Sequence, residues 1–152
     1  MKRTFAIILL LWSSAVNAQD VKMYTWEEAL NANPDSVFGI TFEKMKLTEV
    51  PEKLAQFKKL RFLNLSKNKI EQVPNFIGDF SELEVLNVER NKLTIFPLVV
   101  CRLTKLKELI VNRNEITEIP ECIEYAVSLE YIDIYDNPVG GLPESLARLK
   151  NL

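Results

Sequence analysis

From residue 60 onward, apolar and polar residues alternate in a pattern that repeats every 23 residues. Apolar residues stand at positions 1, 4, 6, 11, 14 and 18 of each repeat, and usually at position 21. Residues 37–59 follow the same pattern, although Met45 stands at position 9, where the later repeats carry Asn. A fixed period of this length is typical of a solenoid of stacked repeats. The sequence therefore predicts a domain of five repeats over residues 37–152.

Each repeat is predicted to begin with a short strand and to close with a short helical or 3-10 turn. The apolar residues at positions 4 and 6 alternate with variable ones, which is the period of a strand with one buried face. Proline at position 15 suits the first turn of a helix, and the apolar residues that follow at positions 18 and 21 have helical spacing. One repeat buries too little apolar surface to fold alone, so stability must come from stacking.

The asparagine at position 9 is interpreted as structural. It stands where the chain leaves the strand, and a buried amide there can satisfy backbone donors and acceptors of its own turn and the adjacent one. The four residues of this column are Asn68, Asn91, Asn114 and Asn137.

These recurrent residues resemble the leucine-rich repeat family in its 23-residue form, LxxLxLxxNxLxxLPxxLxxLxx. The resemblance covers residues 37–152 and is tightest in the last four repeats. It implies an α/β solenoid with a parallel sheet on its concave side and short helical or 3-10 turns on its convex side. It also implies a protein-binding module without catalysis, and it does not identify the ligand.

The first 18 residues are predicted to be a secretory signal peptide. A basic start at Lys2 and Arg3 precedes an apolar run over residues 5–12, and Val16-Asn17-Ala18 has the form of a cleavage site. The alternative, a membrane anchor, is disfavoured because eight apolar residues fall far short of the ~20 that span a bilayer. The mature chain is expected to begin at Gln19, in the periplasm or outside the cell, without stable membrane insertion.

Residues 19–36 are predicted to form one capping helix over the first repeat. Thr25 and Glu28 have the spacing of a capping box, and Trp26, Ala29 and Leu30 share one helical face. That face is expected to cover the open end of the solenoid. A ligand-binding role for Trp26 is the alternative.

Charge and composition argue against nucleic-acid binding and against several kinds of catalytic site. Loss of Lys2 and Arg3 with the signal peptide leaves 17 basic residues against 21 acidic ones, a net charge of −4 that does not favour nucleic acid. The chain has no His, so Ser-His and Cys-His nucleophile pairs are impossible. No Gly-rich phosphate loop is present, and we expect no cofactor, metal site or enzymatic activity. Glu108, Asp133 and Asp136 are interpreted as a solvated acidic patch or a ligand contact.

The variable strand positions 3, 5 and 7 are predicted to point out from the concave sheet, where they would bind a protein partner. Large apolar residues at these positions have no role in the core and are the side chains that interfaces use as anchors. Basic residues at position 8 form a predicted rim, which either solubilises the protein or steers an acidic partner. The predicted anchors are Phe62, Val85, Ile110, Tyr131 and Tyr135, and the rim is Lys67, Arg90 and Arg113.

Cys101 and Cys122 stand at positions 19 and 17 of successive repeats, on either side of buried position 18. They either face each other across the repeat boundary and form a disulfide, as an exported protein permits, or remain partly buried thiols. A Cα separation well above ~7 Å would exclude the bridge.

The C-terminal end is expected to be unprotected, because Leu142, Leu146 and Leu149 are still on the repeat pattern where the chain stops. Either this end packs on another molecule, or the natural chain continues beyond Leu152. Self-association through this end is therefore a second interpretation, in which the protein is a structural or self-assembling component of the envelope or the extracellular space.

Overall fold

The computed structural model describes residues 21–152, so the signal peptide prediction lies outside the described residues. The strands form one six-stranded parallel sheet in chain order, and each strand of the repeats pairs with the residues 23 positions further on. This register confirms the predicted solenoid, because successive repeats lie side by side with the same position in contact. The strands are β1 (Met23–Thr25), β2 (Gly39–Thr41), β3 (Phe62–Asn64), β4 (Val85–Asn87), β5 (Glu108–Ile110) and β6 (Tyr131–Asp133).

Strand β1 was not predicted from the sequence. Its residues carry no repeat pattern, yet they pair in parallel with β2, Met23 opposite Gly39 and Thr25 opposite Thr41. The sulfur of Met23 occupies the space above Gly39, where a Cβ would lie only 2.5 Å from it. The glycine thus allows the added strand to pack closely at this end of the sheet.

A 3-10 helix of five residues closes each repeat on the side opposite the sheet. Each begins one residue after the position-15 proline, which is its N-cap and not, as the sequence suggested, part of its first turn. The proline carbonyl still accepts the first hydrogen bond, as Pro74 does from the N–H of Ile77 at 3.1 Å. These helices are Glu52–Gln56, Asn75–Asp79, Leu98–Arg102, Glu121–Tyr125 and Glu144–Arg148.

The core lies between the sheet and the 3-10 helices, as one continuous stack of the apolar columns. The position-4 residues Leu63, Leu86 and Leu109 are all buried, whereas Ile132 of the last repeat is partly exposed. No described residue stacks beyond that repeat, so its apolar side chains are covered on one side only.

The asparagine column has the structural role that the sequence predicted. The Asn114 side chain donates to the carbonyls of Val88 (3.0 Å) and Val111 (2.9 Å) and accepts from the N–H of Leu93 (3.1 Å). One amide therefore joins its own turn to the preceding repeat. Asn68, Asn91 and Asn137 make the same set of bonds.

Helix α1 (Trp26–Leu30) packs on the first repeat through an aromatic contact. The capping box is present, since the Thr25 hydroxyl accepts from the Glu28 N–H and the Glu28 carboxylate accepts from the Thr25 N–H. The ring of Trp26 lies 5.1 Å from that of Phe42. Leu30, in contrast, is exposed, so it does not belong to the packed face as expected. A second, 3-10 helix follows at Pro34–Ser36.

Within residues 21–152, no helix has the length and apolar character needed to cross a membrane.

Candidate functional site

Two of the five predicted anchors are not exposed. Phe62 and Val85 do stand at outward position 3 of the sheet, but only 8% and 5% of their surface is accessible. They are neighbours in the register, and the Arg61 guanidinium lies 5.4 Å from the centre of the Phe62 ring. Parallel strands are only about 4.8 Å apart, so large side chains at the same position of neighbouring strands cover one another. The expectation that these two residues offer free apolar surface is therefore wrong.

The exposed apolar surface of the sheet lies at its C-terminal edge. Tyr131 is 47% exposed and Tyr135 is 71% exposed, and Ile110 beside them is partly exposed. Ile110 pairs with Asp133, the last residue of β6, which stands between Tyr131 and Tyr135 in the sequence. These three side chains are the predicted anchors that a partner can reach.

The basic residues at position 8 occupy a strained turn. All have left-handed backbone dihedrals, with φ of 59° at Lys67, 54° at Arg90 and 55° at Arg113. Non-glycine residues adopt this region infrequently, and here it turns the chain out of each strand. The column therefore has a structural function that its charge did not indicate.

The rim is partly neutralised by glutamates at position 7. Lys67 Nζ lies 2.8 Å from Glu43 Oε1, and Arg113 approaches Glu89 at 3.7 Å. The hydrogen bond from Lys67 holds the pKa of Glu43 below its ordinary value. Arg90 makes no ion pair with any described residue, so it is the least neutralised of the three rim residues.

Position 2 carries a ladder of alternating charge that sequence reasoning missed. Glu84 accepts hydrogen bonds from Arg61 on the preceding repeat and from Lys107 (3.0 Å) on the following one. Burial disfavours the charge on Glu84, but these two bonds outweigh it and keep its pKa below the ordinary value. The signal was available, because the residues at this position alternate in sign at intervals of 23. The ladder engages Lys107, the basic residue next to Glu108.

The C-terminal part of the concave face is acidic. Glu108 is only 6% exposed, and burial first and the charge of Glu130 second raise its pKa. Both oxygens of Asp133 are engaged, one by the Asn112 amide at 2.8 Å and the other by the Tyr135 N–H at 3.0 Å. Burial, Asp133 and Glu108 together raise the pKa of Tyr131, which places these groups in one electrostatic neighbourhood.

Cys101 and Cys122 are joined by a disulfide in the structure, with their Cα atoms 5.6 Å apart. The bridge links the 3-10 helices of two successive repeats, Leu98–Arg102 and Glu121–Tyr125, on the convex side. Of the two alternatives that the sequence left open, the geometry is that of the bridge.

The C-terminal end exposes apolar side chains. Leu142 is 61% exposed and Val127 is 56% exposed, whereas Leu146 is partly covered and Leu149 is buried. Among residues 21–152, no group of three or more His, Cys, Asp or Glu side chains is arranged to hold a metal ion.

Comparison with solved structures places several leucine-rich repeat proteins beside this chain. A leucine-rich repeat protein of Leptospira interrogans matches with 25% identity and a TM-score of 0.60 over 78% of this chain and 36% of its own. An internalin of Listeria monocytogenes, at 22% identity and a TM-score of 0.58, covers 76% of this chain and 32% of its own, and shows the fold alone.

The ectodomain of the Arabidopsis thaliana membrane receptor kinase GASSHO1/SCHENGEN3 is also similar, at 28% identity and a TM-score of 0.64. Its structure was solved in complex with Casparian strip integrity factor 2, and the match covers 78% of this chain but 15% of the ectodomain. This chain thus spans between 15% and 36% of the length of each of these three proteins.

A search among curated proteins found no significant match. A family model described as a leucine-rich repeat region matches residues 43–152, which is most of the chain and nearly all of the observed solenoid. With the period, the parallel register and the asparagine column in agreement, this chain belongs to the leucine-rich repeat family.

Proposed function

We propose that this protein is an exported binding module that recognises a protein partner on its concave face. The carrying observation is that Tyr131 and Tyr135 stand exposed on the sheet, next to Ile110. Large aromatic side chains at such a place supply rigid contact area and frequently dominate binding energy. The complex formed by the similar receptor ectodomain supports the same role for this fold.

In this proposal the predicted anchors have unequal roles. The direct contacts are made by Tyr131, Tyr135 and Ile110. The side chains of Phe62 and Val85 are mostly covered, so a ligand can touch only their small exposed fraction. The rim residues Lys67, Arg90 and Arg113 affect association mainly through long-range charge, which salt screens. Because Arg90 lacks an acidic neighbour within ion-pair distance among the described residues, it is assigned the largest share of that steering.

Export is the second part of the proposal. The signal-like sequence of residues 1–18 and the disulfide geometry of Cys101 and Cys122 support it, because disulfides persist in oxidising compartments. Expression of the full chain in a cell with an active secretory pathway tests it by mass spectrometry of the N-terminal peptide. A start at Gln19 in the exported fraction supports export, whereas retention of Met1 inside the cell contradicts it.

Photo-crosslinking tests the binding face. A photoreactive phenylalanine analogue is placed at Tyr135 on the concave side or, as a matched control, at exposed Leu98 on the convex side. Both proteins are irradiated in an extracellular or envelope fraction. We expect one partner to crosslink at Tyr135, to be displaced by unlabelled protein, and to be absent at Leu98. Crosslinking only at Leu98 would show that the face is assigned wrongly.

Self-association through the C-terminal end is the second candidate function, favoured by exposed Leu142 and Val127. Sedimentation velocity over a hundredfold concentration range tests it. Concentration-dependent growth that Leu142→Lys abolishes supports this function, and a constant monomer mass contradicts it.

A further inference from the structure

The concave face contains a largely covered carboxylate that has no partner among the described residues and keeps some contact with solvent. Glu108 stands at outward position 3 of β5, between Val85 on one side and Tyr131 on the other. It is 94% covered, since its exposure is 6%. Its side chain makes no hydrogen bond or ion pair with any residue that the structure describes. A buried charge in this condition is costly unless something complements it.

The neighbouring groups do not complement this charge. Lys107, adjacent in sequence, is engaged by Glu84, and the charge of Glu130, which helps to raise the pKa of Glu108, has the same sign as Glu108. The side-chain N–H of Asn112 already donates a hydrogen bond to Asp133. The carboxylate therefore has no paired cation among the described residues, and Glu130 adds negative charge that would attract one.

A second buried acceptor lies further along the same segment. Asn112 Oδ1 is inaccessible to solvent and has no hydrogen-bond partner among the described residues. It is four residues beyond Glu108, or about 13 Å at the rise of a strand. An extended peptide of about four residues spans this distance along the concave face, with one end at Glu108.

The exposed tyrosines favour a cation over a neutral donor. Tyr131 is the direct register neighbour of Glu108, and Tyr135 lies two residues past the end of the same strand. Aromatic rings bind the alkyl stem and the charge of Lys or Arg side chains, and an ionised acceptor strengthens the hydrogen bond. The partner is therefore expected to carry its positive charge next to these rings.

We propose that Glu108 accepts the charged end of a lysine or arginine side chain from the partner, held between Tyr131 and the carboxylate, in an extended basic segment that runs along β5 and β6. This assignment rests on the proposed function and specifies the chemistry of its partner. It also locates the cation of the partner at the acidic end of the concave face, so any steering by the rim residues Lys67, Arg90 and Arg113 acts on acidic groups elsewhere in the partner.

A displayed library of random seven-residue peptides, selected on the purified full chain, tests the assignment. Selections run in parallel on the wild type, on Glu108→Gln, and on Glu118→Gln, an exposed control that makes no side-chain bond. We expect Lys- or Arg-containing peptides on the wild type and the control. Calorimetry with the strongest synthetic peptide should show at least tenfold weaker binding to Glu108→Gln, and an equal loss when its basic residue is replaced by Met.

The outcomes separate the two proposals. A loss of affinity in Tyr131→Ala or Tyr135→Ala supports the concave face. If those peptides are acidic or neutral, or bind Glu108→Gln as well as they bind wild type, the cation assignment is wrong and the proposed function still stands. Loss of affinity in Glu108→Gln alone overturns the placement of the cation beside Tyr131. Affinity that is unchanged in Glu108→Gln and in both tyrosine variants contradicts the concave face itself.

Discussion

Glu108→Gln is expected to stabilise the fold while it weakens binding. The substitution keeps the shape and removes only the charge of a side chain that is 6% exposed and has no donor among the described residues. A fully buried unsatisfied group costs roughly 1–3 kcal/mol. The Glu108 carboxylate keeps some contact with solvent and Gln remains polar, so we expect a gain of at most about 1 kcal/mol at pH 7. For a domain of this size, that corresponds to a rise in Tm of about 3–5 °C.

The sign follows from linkage. The folded state raises the pKa of Glu108 above its ordinary value of 4.5, because burial disfavours the charged form. Unfolding therefore favours ionisation, and the penalty is absent below the unfolded pKa and fully present above the folded one. The advantage of the variant should be largest at neutral pH and should disappear below pH 4.5.

Thermal unfolding followed by circular dichroism at pH 7 and at pH 4 measures this difference. Comparison with wild type at each pH cancels the acid sensitivity of Glu43 and Glu84, whose lowered pKa values contribute stability that is lost as the pH falls through them. Glu118→Gln, which is exposed, should leave Tm unchanged at both values. A lower Tm for Glu108→Gln at pH 7, or a gain equal at both pH values, would refute the reasoning.

Three further variants test which contacts stabilise the solenoid. Asn114→Ala removes an amide that joins two repeats and should lower the free energy of unfolding in urea by about 2–3 kcal/mol. Exposed Asn75→Ala is the control, and equally small losses in both variants would contradict the role of the asparagine column. Cys101→Ser with Cys122→Ser opens a bridge between residues 21 apart and should cost about 3 kcal/mol, matched by adding reductant to the wild type; a wild type insensitive to reductant would show that the bridge does not form. Trp26→Ala exposes Phe42 and should lower the free energy of unfolding by about 2–3 kcal/mol, and an unchanged midpoint would show that α1 does not stabilise the first repeat.

Most of the fold could be predicted from the repeat, because the same physical requirement acts at the same position of every repeat. Apolar residues at positions 4 and 6 require a strand with one buried face, and Asn114 requires backbone partners, so periodicity alone located both. Strand β1 escaped prediction because main-chain pairing with β2 holds it, and pairing of this kind leaves no periodic trace in Met23-Tyr24-Thr25.

The candidate site was predictable only in part. Alternation showed which side chains point outward, but the exposure of Phe62 and Val85 depends on the bulk of their neighbours in space, which a single strand does not reveal. The left-handed turn at Arg90 depends on backbone geometry beyond hydropathy. The acidic surroundings of Glu108 could be predicted from the sequence, whereas its low exposure and its lack of a donor depend on the packing of neighbouring strands.

The affinity of the crosslinked partner for paired variants tests the central claim most directly. Tyr131→Ala with Tyr135→Ala removes the two exposed concave aromatics, and Leu98→Ala with Tyr125→Ala removes comparable exposed apolar surface from the convex side. At about 1–2 kcal/mol for each anchor, the concave pair should raise Kd by at least about tenfold, while the convex pair leaves it unchanged. If the convex pair abolishes binding and the concave pair has no effect, the partner does not bind the concave sheet.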